Sequence, residues 1–202
     1  MNAHRVDEYL QATTIRVAKD RVQAEIHLTP GIAIYPVVFA AIDTDRDGAI
    51  SIAEERAYVE RVLRDVSLKV DGRRLKLRLV SSEFATIEAM REGRGTIQLD
   101  VDAPVPRGGP ERTLTFENHH LSKIGVYLVN GLVPTDPDIH YRLQHRNYEQ
   151  SQYQLEYVQA GVATDLPLSP WWTGPIGLFT IAVLLASAGL IRSRRRHASV
   201  AT

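Results

Sequence analysis

A side-chain period of two runs through most of residues 13–158, and it restricts the chain to a fold built from strands. In TTIRVAKDRVQAEIHL, Ile15 and Val17, then Val22, Ala24, Ile26 and Leu28, alternate with polar residues around Lys19-Asp20. Successive strand residues face opposite sides, so this stretch is expected to form a hairpin with one apolar face. In SLKVDGRRLKLRLV, Leu75, Leu77 and Leu79 alternate with Arg74, Lys76 and Arg78. Asp71-Gly72 supplies a two-residue turn there, whose positive φ angles glycine tolerates. GTIQLDVDAPV, RTLTFENHH, IGVYLVNGLVP, IHYRLQHR and QYQLEYVQ continue the series at the spacing of an antiparallel sandwich. Phe116, Tyr127, Tyr141, Tyr153 and Tyr157 fit as packing and cross-strand partners. The chain has no cysteine, so no disulfide supports the fold and the apolar core must hold it alone.

The strand period breaks over residues 35–66. YPVVFAAI predicts about two helical turns with Pro36 near the first position, and AEERAYVERVLRDV repeats Ala57, Val59, Leu63 and Val66 with charged residues between. A helix–loop–helix therefore interrupts the sandwich between its second and third strands. SEFATIEAMREG, ended by Gly93, reads as a further short helix or an irregular loop.

Between the two predicted helices lies DTDRDGAISIAE, Asp43 to Glu54. A twelve-residue calcium loop offers oxygens at its positions 1, 3, 5, 7, 9 and 12 and needs glycine at position 6 for a sharp turn. Here these are Asp43, Asp45, Asp47, the backbone carbonyl of Ala49, Ser51 and Glu54, with Gly48 sixth. Ile50 at the eighth position is apolar and expected to grip the core. The blander alternative is a solvated acidic turn in which Ser51 and Glu54 form a capping box, which explains neither the alternating aspartates nor Gly48. On these residues, Tyr35 to Val66 resembles the EF-hand family, which implies bound calcium. A second loop is not found in the sequence, and a lone hand is expected to brace the sandwich instead of switching.

The 24 basic and 24 acidic residues are distributed unevenly: Arg192, Arg194, Arg195 and Arg196 lie in the tail, while no Asp or Glu follows Asp165. Residues 1–170 thus carry 20 basic and 24 acidic groups, and nothing in them forms the positive face that nucleic acid requires. WWTGPIGLFTIAVLLASAGLI, residues 171–191, contains no charge, and at about 1.5 Å per residue it is long enough for roughly 30 Å of hydrocarbon. Trp171 and Trp172 read as interfacial anchors at one end, and RSRRRH follows the other. Arginine prefers the cytoplasmic side, so the body is expected outside. MNAHRVDEYL has no apolar signal core, so export leads to the expectation of a start placed too late or of a trimmed signal with His4 as the mature N-terminus. The alternative is a tail-anchored protein with a cytoplasmic body.

His4, if it is terminal, offers an amine and an imidazole to a transition metal, and His119 with His120 is the candidate completion of that site. AHRVDEYLQAT, FENHH and GVYLVNGLVP resemble the extracytoplasmic domains that accompany bacterial nickel and cobalt permeases and hydrogenase/urease accessory membrane proteins. That resemblance implies a transition-metal-binding partner of a membrane transporter. His27, His140 and His145 read as strand and turn residues. No GxSxG, Walker loop or metalloprotease helix occurs, so the chain reads as a binding or accessory module and not an enzyme. The expected organisation is a mainly β, antiparallel β-sandwich over residues 1–158 with an EF-hand insertion at 35–66. A stalk at 159–170, one transmembrane helix at 171–191 and a basic cytoplasmic tail at 192–202 complete it.

Overall fold

The computed structural model describes residues 7–161. The predicted membrane span at 171–191, the tail at 192–202, most of the stalk and His4 lie outside the described residues. Among the described residues, no helix is long and apolar enough to cross a membrane.

The chain opens with the expected hairpin, β1 (Tyr9–Val17) and β2 (Arg21–Pro30), turning through Lys19-Asp20. Ile15, Val17, Val22, Ala24, Ile26 and Leu28 are all buried, so the period of two does mark the core face. β1 starts four residues earlier than the alternation predicted and buries Gln11 and Thr13, polar residues that hide the pattern. The helix–loop–helix follows as α1 (Tyr35–Ile42) and α2 (Ile52–Asp65). The remaining elements are β3 (Val66–Val70), β4 (Arg73–Arg74), β5 (Arg78–Phe84), α3 (Ile87–Arg91), β6 (Ile97–Pro104), β7 (Glu111–Asn118), β8 (Gly125–Gly131), β9 (Ile139–Arg146) and β10 (Gln152–Gln159). The open question at 82–93 resolves in favour of the short helix, α3, but the first residues of that stretch, to Phe84, belong to strand β5, which neither alternative included. The N-terminus of α3 is capped by Thr86, whose hydroxyl oxygen accepts from Ala89 N–H.

Two five-stranded sheets result, ordered β5-β6-β2-β1-β8 and β4-β3-β7-β10-β9. Their inner faces share one apolar core, with Ile15, Ile26, Leu28, Ile97 and Leu99 from the first sheet and Leu68, Leu114, Phe116 and Leu155 from the second. Val38, Ile42, Tyr58 and Val62 bring the two helices into the same core. Each such side chain contributes about 1.5–3 kcal/mol on burial.

Two expectations need correction. The sandwich is not wholly antiparallel, because β1 and β8 pair in parallel, Tyr9 opposite Gly125 and Ile15 opposite Gly131. β8 arrives from the other sheet and not from a hairpin with β1, so no tight turn dictates its direction. The stretch after Asp71-Gly72 is not one strand either. The turn forms, with Lys69 opposite Arg74, but β4 has two residues and the chain then crosses to the first sheet, where β5 pairs with β6. Leu75 is therefore buried while Leu79 is 43 % exposed, although their spacing alone places them on one face.

The registers give the sandwich two distinct poles. β2 ends in α1 and β3 begins after α2, so the helix–loop–helix sits with Tyr9, Asn118 and Gly125 at one pole. The last described residues lie at the other, where Gln159 N–H bonds Pro110 C=O, Ala160 N–H bonds Asp138 C=O, and Lys19 N–H bonds Asp136.

Candidate metal centre

The acidic loop is a turn held by its own carboxylates. Gly48 adopts φ +84°, the left-handed conformation that a side chain disfavours, and Arg46 also has a positive φ of 64°. Gly48 N–H donates to Asp43 Oδ2 at 3.1 Å, Asp47 N–H to Asp45 Oδ1 at 3.1 Å, and Ala49 N–H to Asp47 Oδ1 at 2.8 Å. These bonds bring one carboxylate oxygen each of Asp43, Asp45 and Asp47 within 4.8 Å of one another. Like charges at such a spacing repel by ~1 kcal/mol per pair even in water.

Asp43 is the buried member, at 5 % exposure, and its Oδ1 is shut off from solvent with no hydrogen-bond donor. A buried acceptor without a donor loses its water for nothing in return. The chemistry of the donor set fits a hard cation, since every group offered is an oxygen.

Glu54 is bonded more heavily than the three aspartates, through both of its carboxylate oxygens. Its Oε2 accepts from Ser51 N–H at 3.0 Å and Ser51 Oγ–H at 2.9 Å, while Ser51 Oγ accepts from Glu54 N–H at 3.3 Å. This is a complete capping box at the start of α2, so the capping alternative is realised alongside the aspartate cluster. Its Oε1 accepts from Thr44 N–H at 2.6 Å, the Thr44 hydroxyl at 3.3 Å and Asp45 N–H at 3.4 Å, which ties the loop's beginning to its end. The Ser51 backbone N–H, its hydroxyl and the loop amides pull the Glu54 carboxyl down to about 2, against the burial that opposes it. Thr44, which alternation of ligands passes over, is a functional part of this clasp. Ile50 is half-buried and packs on the core, as its apolar character predicted.

The two histidines of the doublet part company. His119 is exposed, whereas His120 is completely buried with both ring nitrogens engaged, Nδ1 with Asp65 Oδ2 at 2.7 Å and Nε2 with the Tyr58 hydroxyl at 3.1 Å. Neither nitrogen of His120 is left for a metal in this arrangement. Among the described residues, the only grouping of three or more metal-type side chains is Asp43, Asp45 and Asp47.

In comparisons with known proteins, no family model and no curated protein matches this chain.

Proposed function

We propose that the chain is a membrane-anchored, outward-facing module that binds one calcium ion at Asp43–Glu54 and acts as an accessory or binding protein, not an enzyme. The observation that carries this reading is Asp43 Oδ1, buried without a donor beside the Asp45 and Asp47 carboxylates. Asp43, Asp45, Asp47, the Ala49 carbonyl, Ser51 and Glu54 would hold the ion, which would supply the positive charge that three crowded carboxylates lack. The charge-free run at 171–191 and the arginines after it support the anchor and the outward orientation. An extracytoplasmic site need reach only about 10⁻⁴–10⁻³ M affinity. Because Ile50 and Tyr58 are already packed in the core, the ion braces the sandwich and opens no groove.

One experiment addresses placement and ion together. Protease added to intact cells or spheroplasts expressing the gene from its native start should remove the body while a C-terminal tag stays protected. Cleavage within the body should be slower in calcium than in chelator, and Glu54→Gln should erase that difference. A protected body would place it in the cytoplasm, and cleavage indifferent to calcium in the wild type would remove the ion from the account.

A further inference from the structure

We propose that His120 is a positioning residue for the metal loop: it locks α2 to both sheets and thereby holds Glu54 against the loop. The proposal rests on the calcium reading for its consequence but on hydrogen bonds alone for its mechanism.

Every polar atom of His120 is used. Its N–H donates to Asn118 Oδ1 at 2.9 Å, and its C=O accepts from Gln11 Nε2 at 2.7 Å and from the Tyr127 hydroxyl at 3.1 Å. Asn118 Nδ2 in turn donates to Gln11 Oε1 at 3.0 Å. Gln11 belongs to β1, Tyr127 to β8 and Asn118 to β7, so the residue is fixed to both sheets before its ring is considered.

The ring then grips α2 in two places. Ionised Asp65 can only accept, so Nδ1 carries the proton and Nε2 of the neutral ring must accept from Tyr58 O–H. The Tyr58 oxygen accepts in turn from Tyr9 O–H at 2.7 Å. One donor direction runs through Tyr9, Tyr58, His120 and Asp65 without a gap. His119 N–H adds a bond to the Asp65 carbonyl at 3.0 Å, satisfying a carbonyl at the helix end. Tyr58 and Asp65 lie seven residues apart on one stripe of the helix, and Glu54 lies one turn before Tyr58 on the same stripe. A helix pinned at Tyr58 and Asp65 cannot rotate or slide, and so the carboxylate of Glu54 stays in reach of Thr44 and Asp45 N–H across the loop.

The test uses the full chain in detergent. Calcium titration calorimetry of His120→Gln should show affinity about tenfold weaker, the size seen when groups that orient a metal ligand are removed. Leu155→Ala, a core truncation in β10, should lower the melting temperature and leave calcium affinity unchanged, which separates positioning from stability. In a Glu54→Gln background, His120→Gln should cause no further loss. If His120→Gln fails to fold, Tyr58→Phe, which deletes only the central oxygen of the relay, carries the test and should weaken binding in the same direction.

Metal-free amide exchange supplies the independent arm. Exchange at Thr44 and Asp45, whose N–H groups meet Glu54 across the loop, should accelerate in the variant while amides in β2 and β6 keep their protection. If the wild type bound no calcium, the calcium reading would fall and this exchange pattern would still decide the positioning role. Folded His120→Gln or Tyr58→Phe with wild-type affinity, or with unchanged Thr44 and Asp45 exchange, would overturn the proposal.

Discussion

Asp43 and His120 are both buried polar residues, and they differ in what surrounds them. Asp43 Oδ1 has no donor, whereas His120 has a partner for each nitrogen and for its backbone N–H and C=O. That contrast separates an acceptor left without a donor from a group whose bonds hold structure. Burial, which disfavours the imidazolium, pushes His120 below its ordinary value of 6.5 despite the opposing pull of Asp65, and the nearby Arg61 charge acts in the same direction as burial. Tyr58, raised to about 12, and Tyr9, raised well above its usual range, stay protonated and contribute no competing titration. The unfolded chain therefore binds a proton at His120 before the folded chain does, and stability rises with pH up to about 6.5 and is lost as pH falls below it. Thermal unfolding of metal-free protein between pH 7.5 and 5.5, both values about one unit from that midpoint, should show a larger loss in the wild type than in His120→Gln. Equal losses would mean that His120 takes up its proton without cost.

Among the described residues, the ten strands and three helices differ in how plainly residue order announces them. β2 is legible because apolar and polar residues alternate without interruption, β10 because they do so as far as Tyr157, and the acidic loop because its oxygens follow a local spacing. β4 and β5 are not, since the step between sheets at Leu75–Leu77 leaves the alternation of leucines intact while changing what each one faces. The relay through His120 is hidden for a related reason: Tyr9, Tyr58 and Asp65 stand 111, 62 and 55 residues from it, and no periodicity connects them. The parallel β1–β8 pair also depends on such distant contacts. β8 places Gly131 where an added Cβ would strike the Tyr153 hydroxyl and crowd Tyr141. Arg146 of edge strand β9 donates from Nε to the Val129 carbonyl of β8 at 2.6 Å, and its guanidinium lies over the Tyr153 ring, so this corner has no slack. Gly131→Ala should cost about 1–3 kcal/mol of stability as an overpacked core does, whereas Gly109→Ala, whose Cβ would meet nothing within 4 Å, should be near neutral. Denaturant unfolding of both variants checks this, and a neutral Gly131→Ala would show that β8 is free to move.

Over the whole molecule, the sandwich sets the acidic loop at one pole and the last described residues at the other, with a continuous core between them. The loop is joined to that core by Ile50 and, through α2, by Tyr58, so an ion bound there adds to the stability of the sandwich as a unit, by roughly 2.7 kcal/mol at one hundred times its dissociation constant. Everything functional in this account depends on that ion being calcium and on its being held by the loop. The most direct measurement is isothermal titration of calcium into chelator-stripped full chain, beside Asp43→Asn and Glu54→Gln. The account predicts one site per chain, weakened strongly by either substitution. A stoichiometry of zero, or a site indifferent to both substitutions, would contradict it.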